Sequence, residues 1–450
     1  MTSQDDLQRL DAIEKALLNR WPETRIAPTL DRIAALADVL GSPQLSYPTI
    51  HIAGTNGKTT TTRLIDSLCY QLGMRTGRFT SPHLESFLER ISINGEPISP
   101  EGMIATYNDI ALYLDLIDSK MPNKLSFFES MCALAFVAFA EYPVDVGIFE
   151  CGMGGEWDST NVINAAVSVV TPIGFDHMEY LGDTLEKIAT TKSGIIKENS
   201  FAVLARQEAE VAQVLMHKCA QVDATPLREG VEYAVTNRAL AVGGQLISIS
   251  GVYGDYDDLF LPLHGAHQAA NAATALAAVE VFAGEEKLDE TVVREAFANA
   301  TSPGRCEVIM RNPTVIIDAA HNPHGAQSLR RTIKDEFDFD SIIAVIAPMG
   351  DKDVDGILEE LEDSVSYVIV SRNSSHRAAS LPELKLQATS VFGSDRVTAI
   401  ETLPEALATA IEQARLQNGV HGSNAAVLVA GSVVTAGEAR GIIRRMREKK

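Results

Sequence analysis

The residues best suited to chemistry form a glycine-rich turn that leads into Lys-Thr. Pro48-Thr-Ile-His-Ile-Ala-Gly54-Thr55-Asn56-Gly57-Lys58-Thr59-Thr60 runs from an apolar strand, through two glycines, into a helix with Leu64, Ile65, Leu68 and Leu72 on one face. Glycines at such a turn let successive backbone N–H groups point at phosphate oxygens, and the start of the helix adds partial positive charge. In that setting Lys58 reaches the β- and γ-phosphates and the Thr59 hydroxyl binds Mg2+. The spacing departs from the standard P-loop, whose first glycine would fall where Ile52 stands; this chain has Gly54 instead.

Other polar groups follow apolar runs in the same way. Val144–Phe149 leads into Glu150, then Cys151-Gly-Met-Gly-Gly155. A carboxylate at the end of a parallel strand lies on the edge where such sheets bind ligands, and there it can hold a metal. The glycines are no dinucleotide fingerprint, because Trp157 occupies its last position. Thr171-Pro-Ile-Gly-Phe-Asp176-His177 follows a further strand, which makes His177 a second candidate metal ligand. In the helix predicted over 184–197, Lys187 has Asp183 four residues before it, whereas Lys192 has only Ile188, Ala189, Ile195 and Ile196 around it. Helix geometry alone predicts that Lys192 extends to solvent; the other reading is recruitment to a site that changes its charge. Further on, Asp318-Ala-Ala-His321 and Gly431-Ser432 again follow strands, and Arg305 stands beside Pro303-Gly304.

Positioning these groups requires a layered fold. Helical spacing marks Leu7–Leu18 and Ile33–Leu40, and from about residue 48 short β-branched runs alternate with amphipathic stretches. The alternation predicts an α/β fold: a P-loop nucleotide-binding domain with a mostly parallel sheet, plus a smaller C-terminal Rossmann-like α/β domain. The glycine-rich segment from about 230 to 264 breaks the rhythm and reads as an antiparallel patch or insertion. Ser302-Pro303-Gly304 marks the boundary, giving domains over 1–302 and 303–450.

Composition narrows the function classes. The 450 residues are 46% hydrophobic and 22% charged, with a formal charge of −22. That acidity disfavours nucleic acid and anionic membranes as partners while leaving room for a small anion in a locally positive pocket. Five scattered cysteines and the acidic, polar start MTSQDDLQRL point to a reducing, cytoplasmic setting.

Together the motifs resemble the Mur ligase superfamily, and within it the folylpolyglutamate synthase and dihydrofolate synthase branch. The likeness rests on Gly54–Thr59, Thr80-Ser-Pro-His83, Glu150–Gly155, Asp176-His177, Lys192-Ser-Gly-Ile, His267-Gln-Ala-Ala-Asn271, Pro303-Gly-Arg305 and Asp318-Ala-Ala-His-Asn-Pro323. It implies that ATP phosphorylates a pterin-linked carboxylate and that L-glutamate attacks the acyl phosphate. The substrates implied are dihydropteroate and reduced folates, the ions two Mg2+ with room for a monovalent cation, and the working state a monomer.

The resemblance also assigns roles. Gly54, Thr55, Asn56, Gly57, Lys58, Thr59 and Thr60 would hold the triphosphate, with Asn271 and Arg305 on phosphates and Asp318 on the ribose. Thr59, Ser81 and Glu150 would hold the first Mg2+; His177 and a carbamylated Lys192 would hold the second. His321 and Ser432 match the glutamate side, and the domain over 303–450 is implied to bind glutamate. Ile26-Ala-Pro-Thr29-Leu30-Asp31, Phe127-Phe128-Glu129 and Trp157-Asp158-Ser159 resemble the pterin pocket. Bacterial members with dihydrofolate synthase activity often carry Asp-Ala-Thr-Asn where this chain reads Asp158-Ser159-Thr160-Asn161, and the retained Asp158 favours a bifunctional enzyme. The alternatives are a folylpolyglutamate synthase alone, a Mur-type ligase for another carboxylate, and a nucleotide switch. A switch has no use for a second domain carrying Asp318-Ala-Ala-His321.

Overall fold

A computed structural model describes residues 4–21, 28–419 and 423–448. The chain divides into two compact units. The first comprises Met1–Ala239, Leu246–Pro262 and Ala269–Ala300; the second comprises Leu240–Gln245, Leu263–Gln268 and Thr301–Lys450.

In the first unit the strands are β1 (Thr49–Ala53), β2 (Thr76–Phe79), β3 (Ile91–Ile93), β4 (Glu96–Pro97), β5 (Val146–Glu150), β6 (Val167–Val170), β7 (Phe201–Leu204) and β8 (Thr225–Arg228). They pair in the order β4-β3-β2-β5-β1-β6-β7-β8. From β2 to β8 the pairing is parallel, and β3 and β4 continue it antiparallel. Parallel strands need crossover connections that cover both faces, which explains why β1, β5 and β6 are buried along their whole length and are mainly apolar. Helix Phe127–Glu141 is apolar almost all round because it packs between the sheet and helix Pro100–Lys120, and its start is fixed by a capping box between Ser126 and Glu129. Phe79, Phe136, Phe139 and Phe149 fill the core beneath it.

The segment that breaks the alternation folds into a three-stranded sheet, ordered β11-β10-β9, from β9 (Ala234–Ala241), β10 (Gly244–Ser250) and β11 (Asp255–Leu261). The two-residue link Val242-Gly243 joins β9 to β10, with Gly243 at φ 80°, a conformation that suits glycine.

The second unit holds β12 (Glu307–Arg311), β13 (Thr314–Ile317), β14 (Ser341–Ile346), β15 (Tyr367–Arg372), β16 (Val397–Thr402) and β17 (Ala425–Ala430) in the order β12-β13-β17-β14-β15-β16. All pairs are parallel except β12 with β13. The helix predicted over 184–197 spans Leu185–Ser193, because Thr184 accepts the Lys187 N–H as its cap and Gly194 follows its last turn. All five cysteines are free and buried. Among the described residues, no helix is long and apolar enough to cross a membrane.

Candidate active site

β1 lies between β5 and β6, with Ile52 opposite Glu150 and Ala53 opposite Val170, so three strands deliver their carboxyl ends to one edge. The Gly54 turn grows from that edge. A Cβ on Gly54, whose φ is 145°, would lie 1.9 Å from Thr171 Oγ1, so only glycine fits. The Thr55 and Asn56 N–H groups donate to Pro172 O at 3.0 and 3.3 Å, and the Thr55 hydroxyl bonds Gly174, tying the turn to the loop after β6. Gly57, left-handed at φ 87°, precedes helix Lys58–Gln71; its Cβ would meet Asn271 Oδ1 at 2.6 Å, so Asn271 lies directly against the turn. Lys58 Nζ folds back to donate to Gly54 O and Thr55 O, both at 3.1 Å. Thr60 is buried behind Thr59.

Glu150 completes the edge. Its Oε1 accepts the Thr59 hydroxyl at 2.7 Å and its Oε2 accepts the Ser81 backbone N–H at 3.3 Å. Among the described residues there is no group of three or more His, Cys, Asp or Glu side chains that could hold a metal ion by themselves. One carboxylate beside one hydroxyl instead fits Mg2+, which is bound through one or two carboxylates and completes its shell with substrate phosphates and water. His177 is left-handed at φ 51°; its N–H donates to Asp176 Oδ1 at 2.9 Å, and its imidazole, 34% exposed, lies 3.7 Å from Asp176 Oδ2.

Lys192 does not extend to solvent. It is 4% exposed, and its Nζ donates to Gly54 O at 2.7 Å. The neighbours Ile188, Ala189, Ile195 and Ile196 belong to the core, which closes the path of the stem to water, so the amine turns under the Gly54 turn. Burial, then the nearby charge of Lys58, hold its ammonium down to about 7.

The pterin-pocket candidates gather on the neighbouring strand end. Of the segment 26–31, Ile26 and Ala27 lie outside the described residues. The Thr29 hydroxyl accepts the Asp31 N–H, and Leu30 precedes helix Asp31–Val39, which packs against Ser159–Val162. Arg32 pairs with Glu129 at 2.9 Å and so fixes that helix to the one carrying Phe128. The Phe128 ring is tilted against Phe79, with centroids 5.8 Å apart, and a Cβ on Gly152 would meet it at 2.7 Å. Asp158, 3% exposed, is occupied by its own loop: it accepts from Met153 N at 2.8 Å, Thr160 N at 3.0 Å and the Thr160 hydroxyl at 2.6 Å. Burial raises its carboxyl above the usual range. Ser159 sits half-buried beside it.

This region also contains a residue absent from the sequence reading. His51, fully buried on β1, has Nε2 2.7 Å from Thr160 Oγ1. Because Thr160 gives its proton to Asp158, the imidazole must be the donor, and Nδ1 is left without a hydrogen-bond partner. A histidine within an otherwise apolar, wholly buried strand was the available signal.

In the second unit, β13 and β17 end side by side. Asp318 N donates to Val429 O at 2.9 Å and Gly431 N donates to Ala320 O at 3.1 Å, which brings His321 and Ser432 onto adjoining loops. Asp318 accepts from Cys306 N and Ala320 N, both at 2.7 Å; burial raises its carboxyl, opposed by Arg305. His321 Nδ1 lies 2.9 Å from Ala319 O. Ser432 is 2% exposed and bonded to Thr435 and Asn373.

Two mostly parallel sheets, one bearing a glycine-rich turn with a threonine–carboxylate pair, fit an ATP-dependent ligase architecture. Residues 52–279 match the Mur ligase middle domain, and residues 304–433 match the Mur ligase glutamate ligase domain. The chain belongs to the Mur ligase family, in its folylpolyglutamate synthase and dihydrofolate synthase branch. It is 48% identical to the dihydrofolate synthase/folylpolyglutamate synthase of Mycobacterium tuberculosis, over 98% of this chain and 95% of that protein. The M. tuberculosis folylpolyglutamate synthase complexed with ADP superposes with a TM-score of 0.94 at 48% identity, covering 97% and 98% of the two chains. Escherichia coli FolC in complex with DHPP and ADP gives 0.84 at 29% identity, covering 97% and 98%.

Proposed function

We propose that this ligase joins L-glutamate to dihydropteroate and to reduced folates in the cytoplasm, as a monomer, through an acyl phosphate formed with ATP. The observation that carries this reading is the Thr59–Glu150 pair at 2.7 Å, on the same sheet edge as the Lys58 turn. A carboxylate is a poor electrophile until phosphorylation gives it a leaving group, and two anions must then meet in one site. Thr59, Ser81 and Glu150 would hold one Mg2+ and His177 a second, and the ions would supply the charge neutralisation that this encounter requires.

The chain's own groups do the rest. In the Gly54–Thr60 turn Thr55 and Asn56 spend their N–H groups on Pro172, which leaves those at the start of helix Lys58–Gln71 for the triphosphate, with Asn271 against the turn. Lys58 exchanges two backbone carbonyls for phosphate oxygens. Arg305 and Asp318 serve the nucleotide, and His321 and Ser432 the glutamate side. Thr29, Leu30, Phe128, Asp158 and Ser159 shape the pterin side, Asp158 by ordering its loop. Lys192, buried with a neutral amine accessible near pH 7, is set to attack CO2: a nitrogen–carbon bond forms, a proton leaves, and the resulting carbamate is anionic. A monovalent cation can assist beside it.

The test is product mass analysis with MgATP, L-glutamate and either dihydropteroate or tetrahydrofolate. Mass gain on both supports the bifunctional reading. Gain on tetrahydrofolate alone reduces it to folylpolyglutamate synthase, and gain on neither overturns the folate assignment.

A further inference from the structure

The carboxyl ends of β14, β15 and β17 are joined by a buried polar knot centred on Asn373. Its Nδ2 donates to Ala347 O at 3.0 Å, lies 3.0 Å from Thr435 Oγ1 and 3.3 Å from Ser432 Oγ, while its Oδ1 accepts the Ser375 N–H at 3.0 Å. Thr435 Oγ1 gives its own proton to Ala347 O. The 2.8 Å bond between the two hydroxyls therefore runs from Ser432 to Thr435, and Ser432 Oγ in turn accepts the Thr435 N–H at 3.0 Å. Asn373, Ser432 and Thr435 are 5%, 2% and 0% exposed. The Ser432 hydroxyl is thus committed to the fold, and its proton is already given away.

Three loops leave this knot. Pro348–Gly350 follows β14 and is held at Gly431, where a Cβ would meet Pro348 N at 2.9 Å. Ser374–Arg377 follows β15, with the Arg377 carbonyl accepting the Gly350 N–H at 2.8 Å. Gly431-Ser432 opens helix Val433–Glu448, and Gly431 is tied to Ala320, beside His321. In open α/β sheets, ligands bind outside the carboxyl ends of the strands, so the relative placement of these loops sets the geometry of any ligand there.

We propose that Asn373 is a positioning residue for the incoming amino acid: it fixes the Ser432 and Thr435 hydroxyls, and through them the loop that carries Ser432 against the loop that carries His321. This deepens the reading above and rests on it. A buried amide whose donors and acceptor are all used is costly to disturb and holds one arrangement of its neighbours. Loops displaced by about 1 Å lose up to about a hundredfold in the function they orient.

The experiment measures KM for L-glutamate, ATP and dihydropteroate, by ADP release, in full-length wild type, Asn373→Leu, Thr435→Val and Thr435→Ser, with circular dichroism as the check on folding. The expected result is a KM for L-glutamate raised about tenfold or more in Asn373→Leu and Thr435→Val, with the other two KM values within about twofold. Thr435→Ser, which keeps the hydroxyl, returns close to wild type. If Asn373→Leu does not fold, the Thr435 pair decides. A glutamate KM within about twofold of wild type in folded Thr435→Val or Asn373→Leu, or all three KM values rising together, overturns the proposal. Wild type without glutamate-dependent ADP release overturns the functional reading itself, and this inference with it.

Discussion

The carboxyl edge of the large sheet and that of the small sheet use polar side chains in opposite ways. On the large sheet Lys58 and Lys192 donate to backbone carbonyls of the Gly54 turn, and Thr59 donates to Glu150. An anion can take the place of the carbonyls, and a metal ion can bind the Thr59 and Glu150 oxygens together in place of their hydrogen bond. On the small sheet Asn373, Ser432 and Thr435 bond one another, the Ala347 carbonyl and the Ser375 N–H. The difference teaches that strand-end polar residues serve either as groups exchanged with a ligand or as fasteners of loop shape, and residue type does not tell which.

Substitutions can break that contrast. The largest effect is expected for Glu150→Gln: a neutral amide is a weak ligand for a hard cation, and a loss of several kcal/mol of charge stabilisation corresponds to a fall of about 10²–10³ in kcat. A Mg2+ requirement and rate unchanged from wild type would remove Glu150 from the metal shell. Lys192→Ala is expected to cost about a hundredfold while the fold survives, with partial recovery on adding a small carboxylic acid. Full activity without rescue would sink the carbamate. Carbon-13 NMR adds a direct readout. CO2 reacts with the neutral amine, and burial holds Lys192 at about 7, so a carbamate signal should grow as pH rises from about 6 to about 8.

Thr160→Val probes an intermediate case. It deprives both His51 and Asp158 of the hydroxyl that links them, at a cost of about 1–3 kcal/mol in stability. KM for dihydropteroate should rise about tenfold while KM for ATP stays near wild type; equal changes in both would show that the loop and the Gly54 turn act as one body. The smallest effect is expected at the opposite edge of the large sheet, where Arg75 clamps Asp145 at 2.8 and 3.1 Å at the amino ends of β2 and β5. Asp145→Asn should leave kcat unchanged. The clamp holds the Asp145 carboxyl down at about 2, so its small stabilisation is present above the ordinary aspartate range and is lost as pH falls toward about 2. Thermal melts of both proteins across that interval check it.

Much of this was legible in the residues. Gly54, Gly57 and Lys58-Thr59 announced the turn, because few other patterns place two glycines between a strand and a helix. Glu150, Asp176-His177 and Asp318 stood out as polar groups after apolar runs, and the alternation of strand and helix gave two parallel sheets with a break near 230. Three things stayed hidden. Helix geometry alone reads Lys192 as a solvent-seeking lysine, and only the family resemblance placed it in a site; burial of Ile188 and Ile195 is what turns it inward. His51 is a polar residue in an apolar strand, with no partner in sight along the chain. Asn373 is one polar residue among several in Ser371-Arg-Asn-Ser-Ser-His376.

The sequence by itself determined the kinds of group available, the glycine turn between a strand and a helix, and the order of strands and helices, because these depend on local conformation and on periodic burial. Tertiary structure alone decided which groups meet. Thr59 and Glu150 are 91 positions apart, and Lys192 and Gly54 are 138 apart. They come together because parallel strands, joined by crossovers, send all their carboxyl ends to one edge, and strand register then fixes each partner.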